Sequence, residues 1–312
     1  MYLLQKEILE KKKKLSFSNQ PKISYEKVLL ENDFFTQNSF HIQEKLKKID
    51  FHSYYFHCYQ EFSTANIING DKLTINSKSY IWMTFKKFKK ITLLQYLSSF
   101  TINKMYMNNL ILTYKKLLSS LIEINKIGIC YFNWNENNIF INEKEYPILS
   151  SFEYSINCIP DNSKEYWNKI ISKSCNKFIP IEVCFLNEIN KMNYKIITSS
   201  TLEDIYISLK NYMILNISYN EYILIFKIYI NKSVEEFYHC LYKFIPTWDN
   251  YNLSILYLDL LEKYIQSNSY ETKYPFIPKW YSLLKKNVSL NPIKRESLLK
   301  TQDEFSILFS TF

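Results

Sequence analysis

The stretch NKIGICYFNWNENNIFIN, residues 125–142, decides how this chain is read. It closes a long run with helical periodicity, carries Gly128, one of only two glycines in 312 residues, and then crowds asparagines between two apolar segments. A glycine after the last periodic residue is a helix stop, because it adopts the left-handed backbone without steric cost. "ICY" and "NIFI" on either side of the asparagines are strand-like. The order is therefore long helix, glycine stop, short strand, polar loop, strand, and then a second apolar segment, "PILSSFEYS", from Pro147.

Composition bounds what lies around this stretch. Hydrophobic residues make up 47% of the chain, enough for a substantial core, and 312 residues leave room for one large domain or two lobes. The wealth of Asn, Lys, Ile and Tyr, with 27 tyrosines, is the amino-acid usage of an AT-rich genome, so spacing carries more weight than single residues. The net charge of +9 favours anionic partners only in a general way. Cys58, Cys130, Cys158, Cys175, Cys184 and Cys240 are scattered without a C-x-x-C, which argues against a zinc site and against a disulfide scaffold, and points to an intracellular, reducing compartment. No secretory leader is visible. The most apolar segment, residues 211–230, is interrupted by Asn216, Asn220, Glu221 and Lys227 and is expected to be buried rather than membrane-spanning.

Along the chain, residues 1–20 form a basic lead with KKKK at 11–14. Residues 21–85 are mixed: KISYEKVLLEN and SKSYIWMTF are strand-like, and SFHIQEKLKKI between them has helical spacing. Residues 86–312 are mainly helical. TLLQYLSSF and MNNLILTYKKLLSSLIEINKIG are expected helices. DNYNLSILYLDLLEKYI (249–265) is another, with Asp249 at its N-cap. PKWYSLLKKNVSLNPIKRESLLKTQDEF reads as two helices around Asn291-Pro292. The fold class expected is α+β, a small β-rich part preceding a larger helical one.

The opening stretch resembles the centre of the protein-kinase fold. There a long helix stops at a glycine before the catalytic loop H-R-D-L-x-x-x-N, and a hairpin leads on to D-F-G. Tyr131, Phe132 and Asn133 stand at the His, Arg and Asp, Trp134 at the Leu and Asn138 at the Asn, while Ser151-Phe152-Glu153 occupies the D-F-G slot. Other landmarks follow in order. YIWMTFKKFKKITLLQYL (80–97) is similar to the strand, hinge and helix that join two lobes. FIPIEV (178–183) places Glu182 on the Glu of A-P-E, with Pro180 one position early. Asp249 and Tyr251 fall on the Asp and Trp of D-x-W-S-x-G, and Arg295 on the Arg of a late L-x-x-D-P-x-x-R signature. The resemblance covers residues 80–305 well and 20–80 poorly, and its style is that of divergent kinase-like proteins of large DNA viruses.

The resemblance implies a bilobal architecture with a reduced β-rich N-lobe. It implies a buried ion pair between Glu182 and Arg295, and an Asp249 that accepts backbone N–H groups of the catalytic loop. Phosphoryl transfer needs a phosphate-binding Lys paired to a helix Glu, a glycine-rich lid, a catalytic base and carboxylates for Mg²⁺. The lid is missing, since Gly70 and Gly128 are the only glycines. Lys27 fits the Lys only by a register shift, and Ser39 rather than Glu44 falls on the helix Glu. Asn133 replaces the base, and its amide cannot accept a hydroxyl proton. Ser151 replaces a metal carboxylate, so Asn138 alone remains of the Mg-ATP positions unless Glu136 or Glu153 substitutes.

The expected function is accordingly that of a pseudokinase, a binding or scaffold protein engaging protein partners through its helical lobe, its lysine-rich start and residues 153–178. It would be found in the cytoplasm, of a host cell if the source is viral. Two alternatives stand beside it. One is an atypical active Ser/Thr protein kinase with relocated metal ligands, using Mg-ATP. The other is a basic nucleic-acid-binding scaffold working through Lys11–Lys14 and KKFKK at 86–90. His41, His52, His57 and His239 are expected to be structural or surface residues.

Overall fold

The computed structural model describes residues 25–50, 55–65, 80–86, 91–100, 104–132, 134, 136–158, 164–172, 178–210, 218–268 and 274–310. The fold is α+β, dominated by helices, with small antiparallel sheets. The lysine-rich start, Gly70, His52, Cys175 and most of KKFKK lie outside the described residues.

The first part is built as strand, helix, strand, strand. Strands β1 (Tyr25–Glu31), β2 (Tyr59–Ala65) and β3 (Tyr80–Lys86) form one antiparallel sheet in the order β1-β3-β2. Helix α1 (Phe34–Ile49) starts where Asp33 accepts the Thr36 N–H at 2.8 Å. Strand β2 was not among the expected strands: Gln60, Glu61, Ser63 and Thr64 give it little apolar content, and Glu61, Phe62 and Ser63 are exposed at the sheet edge. The helix holds this strand chiefly at Tyr59. Phe40 stacks on Tyr59 with centroids 5.3 Å apart, and the buried Gln43 accepts the Tyr59 N–H at 2.8 Å. Tyr59, Ile81 and Met83 make the small core beneath.

Two short connections join this unit to the helical part. Past β3, strand β4 (Ile91–Thr92) pairs with β6 (Ile139–Ile141), which forms a hairpin with β7 (Pro147–Leu149). After α1, the backbone of Tyr55 and His57 bonds to Leu149 at 2.9 and 2.8 Å. Asp50 fixes that segment by accepting the N–H groups of Tyr55 and Phe56.

The helical part is organised by two long helices. Helix α2 (Leu93–Ser98) carries a capping box from Thr92 and Gln95. Helix α3 (Lys104–Lys126) buries Leu110, Tyr114, Leu117, Leu121 and Ile124 at three- and four-residue spacing. It ends as the Gly128 N–H bonds to the Asn125 carbonyl, with Gly128 at φ 72° before β5 (Ile129–Cys130). Strand β5 pairs with β8 (Ile156–Asn157). Four further helices form the second core cluster with α4 (Lys164–Ser172): α5 (Ile181–Met192), α6 (Ser199–Leu209), α7 (Tyr219–Phe226) and α8 (Val234–Tyr242). Within residues 211–230, Tyr219–Phe226 are helix and Lys227–Tyr229 a 3-10 turn, while 211–217 lie outside the described residues.

Helix α9 (Ile245–Asn268) is the centre of the molecule. Every residue from Trp248 to Leu258 is buried, so the helix is enclosed on all sides. Here the structure corrects the expected boundary. The helix starts at Ile245 rather than at Asp249, because Pro246 fits a first helical turn that needs no N–H from it. Asp249 therefore lies inside the helix and is not its N-cap. Helices α10 (Phe276–Asn287) and α11 (Leu298–Ser310), joined through the 3-10 turn Pro292–Lys294, pack on α9 and α3. A buried amide and hydroxyl network binds them: Asn250 donates to the Glu296 carbonyl and to Thr301, both at 2.8 Å, and Asn287 donates to Ser254 at 3.2 Å.

The strongest link across this part is ionic. Arg295 meets Glu182 with both guanidinium arms, at 2.5 and 2.9 Å, and both side chains are all but inaccessible to solvent. Further contacts surround the pair. Trp248 Nε1 donates to Glu182 at 2.9 Å, Arg295 Nε donates to the Ser289 carbonyl at 2.7 Å, and the guanidinium lies 4.6 Å from the Tyr251 ring centre. Removing one partner strands a buried charge, whereas apolar replacement of both does not. We expect Arg295→Met to lower stability by about 3–5 kcal/mol. Adding Glu182→Leu should restore a large share of that, as read from urea midpoints of the single and double variants. At Gly128 a Cβ would meet nothing within 4 Å, so Gly128→Ala bears only the left-handed backbone strain. It should cost about 1–2 kcal/mol in the same measurement.

Candidate functional site

Strand β5 delivers the chain into the loop read above as a catalytic loop, and a buried carboxylate catches it. Asp249 on α9 accepts the backbone N–H of Tyr131 (Oδ2, 2.8 Å) and of Phe132 (Oδ1, 2.8 Å), and the Trp134 indole N–H at 3.3 Å. Burial pushes the Asp249 carboxyl above its ordinary range, and the Phe132 and Tyr131 N–H bonds pull it back. The same burial raises the Cys130 thiol well above its usual range and the Cys158 thiol to about 12, so neither is a ready thiolate nucleophile.

The loop is held in a costly shape. Phe132 has φ 50°, a left-handed conformation that a bulky side chain adopts rarely. Ser151, after the β6–β7 hairpin, has φ 61°. Such residues cost of the order of 1–3 kcal/mol each and concentrate at functional sites. The two turns touch: Ser150 donates its N–H and its hydroxyl to the Asn138 carbonyl at 3.0 and 2.9 Å, and the Tyr131 hydroxyl donates to the Ser150 carbonyl at 2.5 Å. A column of rings backs them, Phe56 to Phe152 at 6.3 Å, Phe152 to Tyr131 at 5.6 Å and Tyr131 to Trp134 at 5.5 Å.

The sequence-derived positions fall as follows. Asn138 is half-buried in the 3-10 turn Glu136–Asn138, and Ser151 is exposed one residue beyond the hydrogen-bonded Ser150. The main chain thus brings together the two residues named for Mg-ATP. Asn133, named for the catalytic base, and the side chain of Glu136 lie outside the described residues. Phe132, Trp134 and Phe152 are buried in core contacts, Phe132 against Trp248 at 5.4 Å, instead of projecting into a cleft. Lys27 is exposed on β1, 4.9 Å from the Trp82 ring centre, and is not paired to α1. Glu44 accepts from the Tyr59 hydroxyl and from Lys47, while Ser39 is buried and accepts from Gln43. His41 and His239 are exposed, and the His57 ring lies 3.0 Å from the Lys86 carbonyl.

Between α1, β3 and the turn after Phe152 lies a half-open cavity of about 400 Å³, lined by residues that include Asp33, Ser39, Gln43, Met83, Glu153 and Tyr154. Sequence reading did not anticipate it, because its wall comes from three segments that periodicity cannot place together. Burial, and then the nearby Asp33, hold the Glu153 carboxyl above the usual range. Among the described residues no three His, Cys, Asp or Glu side chains gather as a metal site. No helix among them is long and apolar enough to cross a membrane. No protein-family model and no curated protein matches this chain.

Asp249→Ala would leave the Tyr131 and Phe132 amides buried without an acceptor, at about 1–3 kcal/mol each. We expect hydrogen exchange at these two amides to accelerate by at least tenfold in Asp249→Ala, and by less in Asp249→Asn, which keeps one carbonyl oxygen as acceptor.

Proposed function

We propose that this chain is a protein-kinase-like protein that has lost phosphoryl transfer and acts by binding, as a pseudokinase or scaffold. In this reading residues 21–85 are a reduced N-lobe, residues 86–312 are the helical C-lobe, and the loop from Tyr131 to Asn138 is a former catalytic loop. The observation that carries it is the Asp249 carboxylate on the enclosed stretch of α9, grasping two successive backbone amides of a loop bent at Phe132 and lying against the turn at Ser151. Such scaffolding is worth its strain only where a loop has to be held in one shape. The buried Glu182–Arg295 pair and the small sheet entering the helical part after Lys86 are further support, since the resemblance implies both.

The chemistry that the scaffold would serve is wanting. A hard divalent cation is held by carboxylates, and Asn138 and Ser151 offer an amide and a hydroxyl. Glu153 lines the cavity beside Asp33, and burial holds its carboxyl above the usual range. A protein role fits the exposed Ile207 on α6 and the exposed Leu224 and Ile228, four residues apart on and after α7. The nucleic-acid alternative rests on Lys11–Lys14 and Lys87–Lys90, outside the described residues.

The test is nucleotide binding. A ligand at a hundred times its dissociation constant stabilises a protein by about 2.7 kcal/mol. We expect millimolar Mg-ATP to leave the melting temperature unchanged and no phosphate to reach generic protein substrates. A Mg²⁺-dependent rise in melting temperature that disappears in Asn138→Ala would instead favour the active-kinase alternative.

A further inference from the structure

The cavity beside α1 is acidic in a chain that carries a net charge of +9. Asp33 and Glu153 line it, and neither Lys, Arg nor His does among the described residues. Neither carboxylate has an ion-pair partner among those residues, and Asp33 is close enough to raise the Glu153 carboxyl. Leu30, Met83 and Phe85 from the sheet and the Phe35–Tyr154 ring pair at 5.2 Å supply the apolar part of the lining, and Thr36 adds a hydroxyl. Its floor is polar. Ser39 and Gln43 are 5% and 3% exposed, and the Gln43 amide donates to the Ser39 oxygen at 2.9 Å, so the Ser39 hydroxyl hydrogen is left to point at an acceptor. A volume of about 400 Å³ is that of a small-molecule site.

We propose that this cavity binds a compact organic cation, a protonated amine on an aromatic body with an oxygen at its far end. The ammonium sits against Glu153 and Asp33, where two carboxylates that oppose each other gain a shared counter-ion. The ring lies among Leu30, Met83 and Phe85, and the distal oxygen accepts from Ser39. A nucleotide triphosphate is the wrong ligand here, because among the described residues its phosphates would meet carboxylates with no lysine or arginine between them. This inference rests on the cavity alone and holds whether or not the kinase-like reading does.

Tyramine and tyrosol make the test, since they differ only in an ammonium where the other has a hydroxyl. Binding to the full chain is measured by isothermal titration near neutral pH. Tyramine is expected to bind with about millimolar affinity, as its size dictates. Tyrosol is expected to bind at least tenfold more weakly, because hydrogen bonds to charged groups are worth more than neutral ones. Glu153→Gln should remove most of that difference. Asp33→Asn keeps a good N-cap for α1 and should reduce it. Circular dichroism checks that both variants are folded. Equal affinities for tyramine and tyrosol would overturn the proposal, as would no binding of tyramine at millimolar concentration or an unchanged preference in folded Glu153→Gln. Binding of ATP in competition with tyramine would overturn it too.

Discussion

One carboxylate organises the centre of this molecule. Asp249 is buried inside a helix that is itself enclosed, a place where a charge is costly unless hydrogen bonds surround it. Those bonds come from the main chain at Tyr131 and Phe132 and from the Trp134 indole, so the same contacts that make the charge tolerable also fix the loop. The dependence runs both ways. Without the loop, Asp249 has no donors, and without Asp249, two amides have no acceptor. The left-handed turn at Phe132 exists because this exchange outweighs its strain, and the Ser151 turn, the aromatic column and the cavity are placed relative to it.

Much of the architecture was legible beforehand, for reasons that can be stated residue by residue. Helix α3 shows in its apolar spacing and its stop in Gly128, and the β6–β7 hairpin shows in two short apolar runs around the polar residues 142–146. Strand β2 was illegible because an exposed edge strand needs no apolar alternation, and among its described side chains only Tyr59 is a buried anchor. The start of α9 was misjudged by four residues because Pro246 and Thr247 look like a break when they are a first turn.

The site was legible in part. Asn138, Ser151 and Asp249 lie on or against one loop, yet periodicity says nothing about which side chains a cavity collects. Asp33 carries no sequence signal of its own, and Glu153 reads only as a carboxylate that could stand in at the Mg-ATP positions. Only tertiary packing sets them on one wall with Ser39 and Gln43 beneath. Aromatic residues posed the opposite problem. The spacing of Phe132, Trp134 and Phe152 does not say whether they fill a cleft or a core, and long-range partners such as Trp248 place Phe132 in the core.

The Glu182–Arg295 pair has a consequence for assembly. Its members are 113 positions apart, and Arg295 also accounts for the carbonyl of Ser289 and the face of Tyr251. Any shorter form of the chain that stops before residue 295 would carry helix α5 with an uncompensated anion at its core-facing start, next to an indole that cannot neutralise it. During synthesis the middle of the protein must therefore wait for a segment made much later before its interior can close. The nascent helical part would remain loosely packed over that interval, and the final closure would be cooperative, since one guanidinium completes contacts on α5, α9 and the turn before α11 together.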